Sequence, residues 1–152
     1  TKDWKYALLF EDDALINERF LDTLQERFME LKYYLSNDPD NHKWDILQLF
    51  GAHWCNPWNW RKRLLIRYLG HSMYQYLHGF ALFTAVFSPI SSLQKFLDQC
   101  LPFEELSDIW IGHFVQNGVL KAYLTCPPIA GEIGGSSVIH PDRYFPRYSI
   151  SD

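Results

Sequence analysis

The chain has 152 residues, of which 47% are apolar, 21% charged and 17% aromatic. That composition excludes disorder and suits one domain burying roughly 70% of the surface its unfolded form exposes. The 14 Lys and Arg against 18 Asp and Glu give a net charge of -4, and basic side chains gather only at Arg61, Lys62, Arg63 and Arg67, so nucleic acid is not an expected partner.

No run approaches the ~18 apolar residues of a membrane span, and Thr1-Lys2-Asp3-Trp4 has no signal-peptide character. Cys55, Cys100 and Cys126 are widely spaced without a CxxC pair, so reduced structural thiols are expected.

Tyr6-Ala7-Leu8-Leu9-Phe10 is a continuous apolar run, the pattern of a strand covered on both faces. Glu11, Asp12 and Asp13 follow it directly. Burying an unpaired carboxylate is costly, so the three belong at the strand's open end. Ligand sites of open α/β sheets lie beyond such carboxyl ends.

Asn17 is the expected cap of a helix that turns Phe20, Leu21, Leu24, Phe28, Leu31 and Leu35 toward the sheet. Turn formers fill residues 36–41, and residues 44–50 read as a second strand ending at Gly51. Residues 52–76 carry aromatics among basic side chains and show only a short strand around Leu64-Leu65-Ile66. A third strand is expected over residues 79–86. Ser88 then caps a helix with Pro89 in its first turn, running to about Cys100. Another helix starts at Ser107 and stops at Asn117-Gly118, residues 119–125 form a last strand, and the glycine-bearing tail from Cys126 is expected to be irregular. Strands alternating with helices indicate an α/β domain.

Five blocks in order carry a family resemblance. They are Leu8-Leu9-Phe10-Glu11-Asp12-Asp13-Ala14-Leu15 with Phe20 downstream, Trp44-Asp45-Ile46-Leu47, Gly79-Phe80-Ala81 leading into Ser88, Ser107-Asp108, and Cys126-Pro127-Pro128-Ile129. Together the chain resembles glycosyltransferase family 25, which includes bacterial lipopolysaccharide and lipooligosaccharide galactosyltransferases, with collagen galactosyltransferases as relatives. The resemblance implies a GT-A-like nucleotide-diphospho-sugar transferase fold, a mixed sheet flanked by helices. In this family a nucleotide-binding βαβ region precedes the acidic motif, and here only Thr1 to Phe10 precede it. Residues 1–152 are therefore expected to form a single partial domain, without the elements that hold the uracil and much of the ribose.

The implied activity is metal-dependent, inverting transfer of a hexose, galactose first, from a UDP-sugar to a glycan or protein-linked acceptor. A microbial or viral member would work in the cytoplasm or at a membrane surface, a eukaryotic one in the ER or Golgi lumen.

Oxygen-only ligands suit Mn²⁺ or Mg²⁺ rather than zinc. Glu11 and Asp13 alternate on an extended backbone and so point the same way, which makes Asp13 the first candidate for direct ligation. Glu11 and Asp12 would contact metal, metal-bound water or ribose. A solvated acidic strand end accounts for the same three residues without any ligand.

GT-A enzymes often add a histidine ligand from near the C-terminus, and His140 is the candidate there; His78 and His113 read as packing or surface residues. Inverting transfer also needs a base for the acceptor hydroxyl. Asp108, at a helix N-terminus that favours its ionised form, fits that role, with Glu105 and Glu104 as alternatives, although capping alone explains an acid there equally well.

Asp45 reads as a strand-edge hydrogen-bonding residue. Trp54, Trp58 and Trp60 suit either sugar stacking or core filling. Arg61, Lys62 and Arg63 suit an acidic glycan, a phosphate or lipid heads, or simple solvation.

Two rival functions remain open at this level. A metal-dependent phosphohydrolase of the haloacid type needs a nucleophilic aspartate in a DxDx(T/V) run, which residues 10–15 lack. A non-catalytic carbohydrate-binding module, or an inactive remnant of the same fold, is favoured by the missing nucleotide-binding half.

Overall fold

A computed structural model describes residues 3–38, 43–51, 55, 65–78, 84–100, 107–133, 135–136 and 144–145. In chain order these form β1 (Tyr6–Phe10), β2 (Ala14–Leu15), α1 (Phe20–Asn37), β3 (Ile46–Gln48), β4 (Ile66–Gly70), β5 (Met73–Tyr76) and β6 (Ala85–Pro89). There follow α2 (Ile90–Cys100), α3 (Ser107–Gln116), β7 (Ala122–Thr125), β8 (Gly131–Glu132), β9 (Gly135–Ser136) and β10 (Tyr144–Phe145).

Six strands make one mixed sheet in the order β1-β6-β3-β7-β5-β4. Only β3 and β7 pair in parallel; the other neighbours are antiparallel. It follows that β1, β3, β7 and β4 run one way and β6 and β5 the other. The α/β class expected from the alternating pattern is what forms.

Side-chain alternation on the strands splits the core into two layers. On one face Phe20, Leu24, Leu31 and Leu35 of α1 meet Leu47, Met73 and Tyr123. On the other, Ile111 and Val115 of α3, with Phe96 of α2 against them, meet Ile46, Val86, Ala122 and Leu124. The helical stripe is as expected except at Leu21. Rotated ~100° from Phe20, it stands 68% exposed. Asn17 does not cap α1 either: Arg19 occupies that position without a side-chain cap bond, and Asn17 contributes only its carbonyl, which accepts from Phe20 N at 3.2 Å.

Strand β1 departs from the fully covered strand its sequence suggests. Leu8 packs into one core layer and Leu9 into the other, so both faces are covered at its centre. Yet among the described residues β1 pairs with β6 alone, and Tyr6 and Phe10 are 40% and 42% exposed.

Pairing also moves the expected α2 start. Tyr6 opposes Pro89, which keeps Ser88 and Pro89 in β6, and the Ser88 hydroxyl donates to Asp45 O at 2.7 Å instead of capping a helix. Asp45 does act at the strand edge. Its carboxylate accepts from Ser92 Oγ and from Lys121 N, each at 2.8 Å, joining β3 to α2 and to the start of β7.

The aromatic segment contains a hairpin, β4–β5, which its sequence does not announce. Its turn is fastened to α1, where the Glu30 carboxylate accepts from Ser72 N at 3.0 Å and from Ser72 Oγ at 2.5 Å. Gly70 (φ 136) and His71 (φ 45) bend the chain there.

The expected stop of α3 is met. Gly118 (φ 70) donates to Val115 O at 3.1 Å and Val119 N to Phe114 O at 2.8 Å, the Schellman pattern of helix termination.

The expectation of reduced thiols is corrected at two of the three cysteines. Cys55 and Cys126 form a disulfide with Cα atoms 5.3 Å apart. The pairing follows from the fold. β3 and β7 lie side by side in parallel, Cys126 follows the end of β7, and Cys55 N donates to Gly51 O just beyond β3.

Candidate functional site

Strand direction gathers the carboxyl ends of β1, β3 and β7 at one end of the sheet. Glu11-Asp12-Asp13 forms a turn there, leading from β1 into β2. Backbone bonds hold it from several sides: Glu11 N donates to Thr84 O at 2.9 Å, Ala14 N to Glu11 O at 3.2 Å, and Ile133 N to Asp13 O at 2.9 Å.

The last of these comes from the segment after β7. It passes the end of β3, where Ile129 N donates to Leu49 O at 2.9 Å, and then pairs with β2 so that Ala14 opposes Glu132 and Leu15 opposes Gly131. A fourth carboxylate, Glu132, thereby joins the three that are adjacent in sequence.

Glu132 is half-buried, as is Asp13, while Glu11 and Asp12 are exposed. Burial raises the Glu132 pKa above its ordinary value. The negative charges of Asp13 and Glu11 raise it further, and so does a hydrogen bond with the Asp13 side chain.

Sequence reasoning missed Glu132. Its only local signal is an acid standing alone between Gly131 and Ile133, just after the Cys126-Pro127-Pro128-Ile129 block.

Of the other expected site residues, Asp108 lies in the first turn of α3. That helix ends beside the start of β7, and Ile111 and Val115 lie along the sheet, so the topology sends its first turn back toward the carboxylate end. The Asp108 side chain, Glu105, Glu104 and His140 lie outside the described residues, as do Trp54, Trp58, Trp60, Arg61, Lys62 and Arg63. His78 and His113 are exposed. Arg67 is committed to β4, donating to Gln75 Oε1 at 2.5 Å and standing 3.8 Å from the Asp38 carboxylate.

Among the described residues no three His, Cys, Asp or Glu side chains stand in a metal-ligating arrangement. The chemistry of the donor set nevertheless fits a hard divalent cation. It is all oxygen, it lies at a turn open to solvent, and the negative charges of Asp13 and Glu11 raise the proton affinity of Glu132.

Comparison with protein-family models and with curated proteins finds no match. Among the described residues no helix is long and apolar enough to cross a membrane.

Proposed function

We propose that the chain belongs to a GT-A-type, metal-dependent glycosyltransferase of the family 25 kind, moving a hexose from a UDP-sugar to a glycan or protein-linked acceptor. The observation that carries this reading is that the β2–β8 pair sets Glu132 where the charges of Asp13 and Glu11 act on it, at the carboxyl end of β1. A turn that concentrates carboxylates where three co-directed strands end suits a diphosphate held through a cation. The order of the five sequence blocks supplies the donor and the reaction class.

Asp13 and Glu11 would hold Mn²⁺ or Mg²⁺, with Glu132 as a further oxygen donor and Asp12 toward the ribose. When bound, the cation supplies neutralisation of the charge that develops on the leaving diphosphate. Asp108 takes the proton of the acceptor hydroxyl. The acceptor oxygen then bonds to the anomeric carbon from the face opposite the diphosphate, and the bond from that carbon to the diphosphate oxygen breaks.

Calorimetry with UDP and Mn²⁺ tests the reading. UDP binding that requires the metal and is lost in Asp13→Ala is the expected result. Sugar binding indifferent to metal, without UDP binding, would replace the transferase with a carbohydrate-binding module.

A further inference from the structure

The ladder between β1 and β6 continues one residue past the end of β1. Phe10 opposes Ala85, and Glu11 N donates to Thr84 O at 2.9 Å, so Glu11 and Thr84 are the next opposed pair. Side chains of directly opposed residues stand side by side on one face, with Cβ atoms about 4.5–5.5 Å apart. The pair two positions earlier, Leu9 and Val86, packs into the layer that Ile111 and Val115 of α3 cover. By alternation Glu11 and Thr84 turn to that same face, the one whose helix starts at Ser107.

Thr84 is 1% exposed, and among the described residues its hydroxyl has no hydrogen-bond partner. The buried hydroxyls of Ser72, Ser88 and Ser92 are all bonded, to Glu30 or to Asp45. Packing does not call for a hydroxyl at position 84, since valine has the same shape and the residues that follow, Ala85 and Val86, are apolar and fully buried. A buried hydroxyl without a partner weakens a fold, so its presence at the acidic turn calls for a ligand.

We propose that Thr84 is a further residue of the carboxylate site, its hydroxyl oxygen accepting a hydrogen bond from a water carried by the bound Mn²⁺ or Mg²⁺. The inference rests on the cation-binding reading of Glu11, Asp13 and Glu132. Magnesium in particular keeps several of its waters when bound, and these need acceptors. A hydroxyl supplies one without adding charge to a group that already has four carboxylates, Glu11, Asp12, Asp13 and Glu132. Thr84 thus serves the turn twice, its carbonyl holding the Glu11 amide and its side chain facing the ligand.

Thr84→Val keeps the shape and removes the hydroxyl. With chelator present the variant should melt at or above the wild-type temperature, because no bond within the fold is lost. In calorimetry its Kd for Mn²⁺ should rise about tenfold, while Thr84→Ser, which keeps the hydroxyl, should stay within about twofold of wild type. Equal Mn²⁺ binding by wild type and Thr84→Val overturns the role of Thr84 and leaves the cation site standing. A valine variant that melts below the wild type in chelator shows a hydroxyl already bonded within the fold, which also overturns the proposal. A wild type that binds no Mn²⁺ removes the cation site itself and the role of Thr84 with it.

Discussion

Glu132 is brought beside Asp13 by the β2–β8 pair, where it opposes Ala14, and burial together with the neighbouring negative charge of Asp13 holds its carboxyl above the usual carboxylate range. The folded chain holds the Glu132 proton more tightly than the unfolded chain does. Folding is therefore penalised progressively as pH rises above this group's ordinary value of 4.5. Glu132→Gln keeps a donor for Asp13 and removes that penalty. Thermal melts from about pH 4 to about pH 8 should show the variant gaining on the wild type as pH rises, with no advantage at the acid end. Mn²⁺ should narrow the gap by stabilising the wild type alone. A constant difference across the range would count against the raised pKa of Glu132.

Glu30 ties α1 to the turn between β4 and β5 by accepting both the amide and the hydroxyl of Ser72, a residue only 5% exposed. Glu30→Ala leaves a buried amide without this acceptor and should cost about 1–3 kcal/mol in denaturant unfolding. Glu30→Gln, which keeps an acceptor oxygen, should cost less.

Inside the sheet the Tyr76 hydroxyl donates to Gln48 Oε1, with Gln48 fully buried and Tyr76 3% exposed. Burial raises the Tyr76 pKa far above its ordinary 10.0, so this residue's contribution is intact below that value and is lost as pH rises past it. Tyr76→Phe should lower stability by about 1–3 kcal/mol near neutrality. The deficit should shrink in alkaline unfolding experiments, because the variant has no phenol to ionise.

The Cys55–Cys126 link joins chain segments 71 residues apart. Cys55→Ser and Cys126→Ser should each lower the unfolding free energy by about 2–4 kcal/mol. Added reductant should bring the wild type to the same level and leave the variants unmoved. Equal stability of wild type and variants under oxidising conditions would show that the bond does not form.

What the sequence made legible was whatever has a local cause. The stripe of α1 recurs at helical spacing, and the end of α3 follows from a glycine that reaches positive φ without strain. The acidic turn stands where an apolar run meets charges too costly to bury. The β4–β5 hairpin was hidden because its bend uses Gly70 and His71, with no Asn-Gly or Asp-Gly signal, and its strands mix tyrosines with polar residues rather than alternating. Ser88-Pro89 imitates a helix start, but pairing with β1 holds it in a strand. Glu132 and the Cys55–Cys126 pair depend on contacts between distant segments, made by β2 with β8 and by β3 with β7. No window of sequence contains them.

The β2–β8 pair has a consequence for how the molecule comes into being. A ribosome releases Glu11, Asp12 and Asp13 well before Glu132. Until Glu132 emerges, the acidic turn exists without the strand that positions it. Contacts of such long sequence separation form late and slowly. The carboxylate group is thus completed only after the strands and helices between β2 and β8 have been made.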